Sequence, residues 1–155
     1  MSLTLSAPSF KAYGPIDARY SCEGEDVSPA LSWAGVPEDA QSLALILDDP
    51  DAPRGGWVHW VVYNLPATAT GLPEACDEAK LPAGTLQGLN DWRRTGYGGP
   101  CPPQGRHRYY FTLYALDCVL PDLNQPNKGQ LERAMDGHLL GKAELMGTYA
   151  KHAGE

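Results

Sequence analysis

Between residues 43 and 65 the chain reads LALILDDPDAPRGGWVHWVVYNL, two hydrophobic runs joined by acids, prolines and glycines. The first run, Leu43 to Leu47, is aliphatic at every position, so it reads as a strand covered on both faces. Asp48, Asp49 and Asp51 follow at its end. Pro50 and Pro53 fix their own φ and push the residue before each toward extended conformations, which holds the acids on a stiff, non-helical segment. After Gly55 and Gly56 a second strand is expected from Trp57. Its alternation places Trp57, His59, Val61 and Tyr63 on one face, and Val58, Trp60 and Val62 on the other. If the two strands share a sheet, an imidazole at the start of one lies near carboxylates at the end of its predecessor.

A second stretch, GYGGPCPPQGRHRYYFTLYALD over residues 96 to 117, has the same construction. A loop rich in Gly and Pro feeds a strand with His107, Tyr109, Phe111 and Leu113 on one face. Arg108, Tyr110, Thr112 and Tyr114 lie on the other. Two strands thus each begin with a histidine directly after a rigid loop, which predicts one pocket built from two loops.

The rest of the chain predicts mainly β structure. Residues 3 to 10 read as an edge strand, Asp17 to Cys22 as a weak strand, and Ser28 to Trp33 as a strand with Leu31 and Trp33 on one face. Residues 66 to 81 read as a proline-broken loop with one helical turn at 74 to 79, and residues 84 to 91 as a glycine-weakened strand. Asn127 suits the cap of a helix whose apolar positions are Leu131, Met135, Leu139 and Leu140, with Gly141 at its end; a last strand is expected over 143 to 151. The chain holds 17 glycines and 14 prolines, about one residue in five, which marks turns without reaching the composition of disorder. These features predict one domain over residues 1 to 155, a Greek-key β-sandwich with one or two short helices.

A net charge of -7 disfavours non-specific binding to nucleic acid or an anionic bilayer. Five of the seven arginines, Arg54, Arg93, Arg94, Arg106 and Arg108, nevertheless fall in or beside the two motif stretches, where they offer an anion local positive potential. The four cysteines, Cys22, Cys76, Cys101 and Cys118, show neither zinc-ribbon nor CxxC spacing, and free thiols are expected. The first residues have neither a basic start nor a long apolar run, and no segment reaches the roughly 18 apolar residues of a membrane span; a cytoplasmic protein without stable membrane insertion is expected.

The pairing of DPDAP (49 to 53) and HW (59 to 60) with GPCPPQGRHRY (99 to 109), together with SPALSW (28 to 33) and GTY (147 to 149), resembles the phosphatidylethanolamine-binding protein family, also called Raf kinase inhibitor protein-like. The resemblance covers most of the chain. It implies a small pocket for phosphate-type head groups such as phosphorylethanolamine, formed by Asp49, His59, Gly99, Pro100, His107 and Tyr109, with Asp51 and Pro53 shaping its wall. The loop before His59 is short and little chain follows GTY, so the C-terminal helix beside the pocket of animal members is not expected. That is the pattern of the shorter bacterial branch, whose members often form homodimers, and a homodimer is expected here. Family members elsewhere inhibit kinases or proteases, which makes regulation of such a target a further expectation.

On chemistry alone, a His-Asp pair favours imidazolium, and two imidazoliums with a tyrosine hydroxyl and glycine N-H groups make an anion socket. The carboxylates fit if they orient the imidazoles or accept from an ammonium on the ligand. Each residue also has a plainer role: His59 or His107 as satisfied core histidines, Asp51 as a turn cap, Trp57, Trp60 and Tyr110 as core. No cofactor and no catalytic residue are predicted. The competing expectation is a hydrolase in the same pocket. It would use a zinc or iron ion on the two histidines and two aspartates, or Cys101 beside Arg106 and near His107 as nucleophile.

Overall fold

A computed structural model describes residues 2 to 151. Two antiparallel sheets face each other. The smaller contains β1 (Thr4–Ser6), β2 (Leu31–Ala34) and β5 (Gly71–Leu72), in the order β1-β2-β5. The larger contains β3 (Ser42–Asp49), β4 (Trp57–Pro66), β6 (Leu86–Gln87), β7 (His107–Leu116) and β8 (Leu139–Tyr149), in the order β6-β4-β3-β7-β8. The all-aliphatic run of β3 occupies the centre, as expected: Leu43, Leu45 and Leu47 face the space between the sheets, while Ala44 and Ile46 face a second apolar layer. The fold is the mainly β sandwich that the turn-rich sequence predicts.

The second layer explains the helix. α1 (Lys128–Met135) lies in the long connection between β7 and β8 and buries Leu131 and Met135 against Ala44, Ile46, Val61, Tyr63 and Leu116. Asn127 caps it as expected: its side chain accepts from the Gln130 N-H while the Gln130 side chain accepts from the Asn127 N-H, a reciprocal pair worth about 1 kcal/mol. The helix is shorter than its apolar spacing suggests. Asp136 is extended and Gly137 takes φ 82°, a left-handed conformation that stops the helix. Leu139, Leu140 and Gly141 therefore open β8, with both leucines exposed.

Three other local expectations change. Residues 18 to 20 form a 3-10 turn, not a strand, because the Asp17 side chain accepts from the Arg19 N-H and caps it. The single turn in the 66 to 81 loop sits at 78 to 80, capped by Asp77. Only Leu86 and Gln87 of the 84 to 91 segment pair as strand; beyond them the buried Asn90 takes over. Its side chain accepts from the Trp92 N-H at 2.9 Å and donates to the Gly96 carbonyl at 3.1 Å, which curls the chain into a loop.

Candidate functional site

One irregularity positions the candidate site. After an earlier shift between Leu43 and Leu45, β4 pairs with β3 evenly from Leu45 against Val62 to Leu47 against Trp60, beyond which Asp48 meets Val58 and Asp49 meets Trp57. His59 is the extra residue of a β-bulge. Strict alternation would place it with Val61 and Tyr63 on the helix side of the sheet. The bulge instead turns it toward the space between the sheets, where its ring meets Tyr109 edge-on at 5.4 Å and Trp92 at 5.0 Å. Bulges re-aim side chains in this way, and no composition signal marks this one.

His59 and its surroundings form the wall of a cavity of about 550 Å³, within the usual range for small-molecule sites. Asp49, Pro53, His59, Gly99 and Tyr109 line it, as expected from the sequence. Asp51, Pro100 and His107 do not. His107 stands behind Asp49, its Nδ1 at 2.6 Å from Asp49 Oδ2, with both side chains buried. Asp49 Oδ1 also accepts from the Asp51 N-H at 2.8 Å, so the carboxylate is oriented by two groups. Asp51 turns outward: both its oxygens receive the Arg108 guanidinium, and Oδ2 also accepts the Arg108 backbone N-H. These hydrogen bonds hold the Asp51 carboxyl down at about 2 and push Arg108 up. The Pro100 carbonyl accepts from the Cys22 N-H.

Two features of the expected anion socket are altered. Burial pushes His59 below its ordinary value, so it is neutral at pH 7 and not imidazolium. Its Nδ1 lies 2.8 Å from the Gly98 carbonyl, so that nitrogen carries the proton and donates. The Gly99 N-H is also taken, donating to Asp26 Oδ1 at 2.7 Å. In their place the wall supplies two other donors. Trp57 Nε1 and the Tyr109 hydroxyl are both buried without a hydrogen bond of ordinary geometry. Burial first, then the neighbouring Asp49 carboxylate, pushes the Tyr109 hydroxyl up, and the Cys101 backbone opposes the shift. Buried donors without partners are costly, and such groups on a cavity wall are what a ligand acceptor satisfies.

Several wall residues lie outside the set expected from the sequence. Trp57, expected in the core, lines the cavity with Trp92, Asp26, Cys22, Pro102 and Pro103. Trp60 is core, as expected, with Nε1 donating to Gln87 Oε1. Arg54 and Arg94 line the cavity, and neither forms an ion pair among the described residues. Arg106 instead reaches Thr148 Oγ1. The clustering of arginines in the motif stretches was the available signal for this pair. No local signal marks Asp26 or Trp92, which arrive through loops.

The expectation of four free thiols is corrected. Cys22 and Cys101 form a disulfide across a separation of 79 residues, with Cα atoms 5.4 Å apart. Their spacing carries no motif; what brings them together is the contact of the 18 to 26 segment with the 96 to 106 loop. Tyr97 Oη donates to the Tyr20 carbonyl, and Asp26 holds Gly99, beside the same bond. Cys101 therefore has no thiol to act as a nucleophile. Cys76 and Cys118 are free. Among the described residues the ligand atoms of Asp49, His59 and His107 do not converge as three ligands around one ion do.

A sandwich whose central strand ends in a buried carboxylate-imidazole pair, beside a cavity walled by a second histidine and a tyrosine, defines a class of ligand-binding β protein. Its family follows from comparison. Residues 6–150 match the family model for phosphatidylethanolamine-binding protein, and the chain belongs to that family. A UPF0098 protein of Methanothermobacter thermautotrophicus is 51% identical over 96% of this chain and 99% of its own length. The crystal structure of a phosphatidylethanolamine-binding protein homolog from Chlamydia trachomatis superposes with a TM-score of 0.90 at 46% identity, covering 97% of this chain and 98% of that one. E. coli YbcL superposes with a TM-score of 0.91 at 33% identity over 97% and 99% of the two chains. Relatives come from archaea as well as bacteria, wider than the bacterial branch expected. No helix among the described residues is long and apolar enough to cross a membrane.

Proposed function

We propose that the protein binds a small zwitterionic phosphate ester of the phosphorylethanolamine type, or a bare phosphate group, in this cavity and does not transform it. The observation that carries the reading is the buried, unpartnered Trp57 Nε1, beside the Tyr109 hydroxyl on a wall that also holds Arg54 and Arg94. Phosphate oxygens accept from all four. Asp49 and Asp26 supply negative charge on the same cavity, which suits an ammonium carried by the ligand. The apolar remainder, Ala52, Pro53, Trp92, Pro102 and Pro103, suits its carbon chain.

In this reading Trp57, Tyr109, Arg54 and Arg94 hold the phosphate, Asp49 faces the ammonium, and His59 and Gly99 complete the wall. His107 positions Asp49, Asp51 and Pro53 shape the adjoining loop, and Pro100 fixes the turn that carries Gly99. The domain comprises residues 1 to 155, and the family's character as binding proteins favours a non-enzyme. Inhibition of a kinase or protease through the pocket rim, and a homodimer, remain the family-level expectations. An oxidising compartment fits the Cys22–Cys101 bond better than the cytoplasm expected from the first residues.

The test is titration with phosphorylethanolamine and, separately, inorganic phosphate, read by the ring signals of His59 and Trp57 in NMR spectra. Saturable shifts that weaken in Tyr109→Phe and Arg54→Gln support the reading. Unchanged signals at millimolar ligand end it.

A further inference from the structure

At the opposite end of β7 from the cavity, three side chains of different chemistry meet on the surface. Asp117 and Cys118 directly follow β7, and His138 directly precedes β8. β7 spans 10 residues, so this cluster lies about 30 Å along the strand from His107 at roughly 3.3 Å per residue. A carboxylate oxygen of Asp117, the Cys118 Sγ and a ring nitrogen of His138 all lie within 4.8 Å of one another. His138 Nδ1 is 2.8 Å from Asp117 Oδ1.

We propose that Asp117, Cys118 and His138 form a binding site for a borderline divalent transition-metal ion of the zinc type. One thiolate, one imidazole and one carboxylate are the mixed S, N, O donors that such ions take, and three protein ligands leave a fourth position for water. A tetrahedral ion about 2.0–2.3 Å from each ligand needs ligand atoms nearer to one another than about 4 Å, so binding draws these atoms somewhat closer than the 4.8 Å within which they now lie.

The backbone holding these side chains is already fixed. The Asp117 N-H donates to the His138 carbonyl at 2.9 Å and joins the two ligand-bearing segments directly. Ser42 Oγ donates to the Cys118 carbonyl at 2.6 Å, and the His138 N-H donates to the Met135 carbonyl at 2.9 Å. The left-handed Gly137 delivers His138 to this point. The site is open on its outer side: the Asp117 and His138 side chains are 45% and 44% exposed, while Cys118 is half-buried, so an ion can enter from solvent. A Cys-His-Asp nucleophile is the alternative use of such residues, and Asp117 beside the thiol disfavours it, since a neighbouring carboxylate opposes a free thiolate that a cation would stabilise. On binding, the Cys118 thiol proton leaves to solvent and its sulfur electron pair bonds the ion, with no oxidation or reduction.

The experiment is titration of the oxidised, full-length protein with Co2+ and then Zn2+. One equivalent of Co2+ is expected to produce visible d-d bands and a near-ultraviolet thiolate-to-cobalt band, and Zn2+ is expected to bleach both. Cys118→Ser and Cys118→Ala should abolish the near-ultraviolet band. Asp117→Asn and His138→Gln should weaken binding by more than about tenfold, since loss of even an outer partner of a metal ligand costs that much. Circular dichroism on each variant separates loss of the site from loss of the fold. A spectrum without the thiolate band overturns the assignment. So does a band that survives Cys118→Ala and disappears in Cys76→Ala, or visible bands that depend on His59 or His107, which would place the ion in the cavity.

Discussion

Asp49 Oδ2 and His107 Nδ1 meet at 2.6 Å with both side chains buried, and this contact joins the end of β3 to the start of β7 where the two strands splay toward their loops. It accounts for why an acid at the end of an aliphatic strand is stable. Asp49 is also held by the Asp51 N-H, so its charge is met from two sides.

Removing the imidazole leaves the carboxylate short of one partner in a buried place. His107→Leu should therefore cost about 3 kcal/mol in urea unfolding, and Asp49→Asn less, because an amide still accepts. The double variant Asp49→Leu/His107→Leu should cost less than the sum of its singles. Strict additivity in the cycle would show that the contact contributes nothing of its own.

Asp51 and Arg108 give an acid-limb signature. Asp51 is lowered from 3.8 to about 2 in the folded protein, so the stabilisation is complete above the unfolded value and is lost as pH falls through the folded one. The difference in urea midpoint between the protein and Asp51→Asn should accordingly shrink from about pH 4 to about pH 2 and stay level at higher pH. The pair is partly exposed, so the difference is small and falls further with added salt. A gap independent of pH across that window would contradict the assignment.

His59 gives the opposite sign from a histidine that gains an acidic partner. Its folded value is lowered by burial, so the unfolded chain binds the proton first, and stability declines as pH drops below the ordinary value of 6.5. In NMR titration the His59 ring should be mostly neutral at pH 6.5, where a histidine of ordinary value is half charged. His59→Gln should flatten the corresponding slope in stability against pH.

The Cys22–Cys101 bond closes a long loop, and its loss should lower stability by about 3–4 kcal/mol. Mass spectrometry before and after reduction should differ by two hydrogens for the folded protein under native conditions with a strong reductant. Cys22→Ala/Cys101→Ala should show the same drop in urea midpoint as the reduced form. An unaltered midpoint would mean that the cross-link constrains little.

Gly99 tests the fit of the cavity loop. A methyl group there would collide with the Tyr20 carbonyl oxygen and crowd Asp26 and the backbone of Ser21, none of which is a flexible side-chain end apart from the Asp26 tip. Gly99→Ala should destabilise the protein by more than about 1 kcal/mol and weaken phosphorylethanolamine binding, whereas Gly105→Ala, with open space around it, should cost only its left-handed backbone strain. Equal effects of the two would argue that the 96 to 106 loop is not tightly seated.

Much of this was legible in the residues because it rests on local pattern. The aliphatic run of β3, the alternation of β7 and the Asn127 cap each carry their structure within a few positions. Two separated motifs pointed to one end of the sandwich, where Asp49, Pro53, His59, Gly99 and Tyr109 line the cavity. What escaped was decided by pairings distant in sequence. The bulge at His59 comes from register against β3, the Cys22–Cys101 bond from the contact of two loops, and the place of Trp57 from the cavity next to it. Leu139 and Leu140 kept helical spacing only by coincidence, since Gly137 had already turned the chain.

The 96 to 106 loop is fastened to residues 20 to 26 by a tyrosine hydroxyl, a carboxylate and a disulfide in succession. A nascent chain therefore leaves this end of the sandwich unfastened until about two-thirds of it has been synthesised, and any fragment or permutation that severs the early segment from the late one should yield a sandwich with its mouth undone.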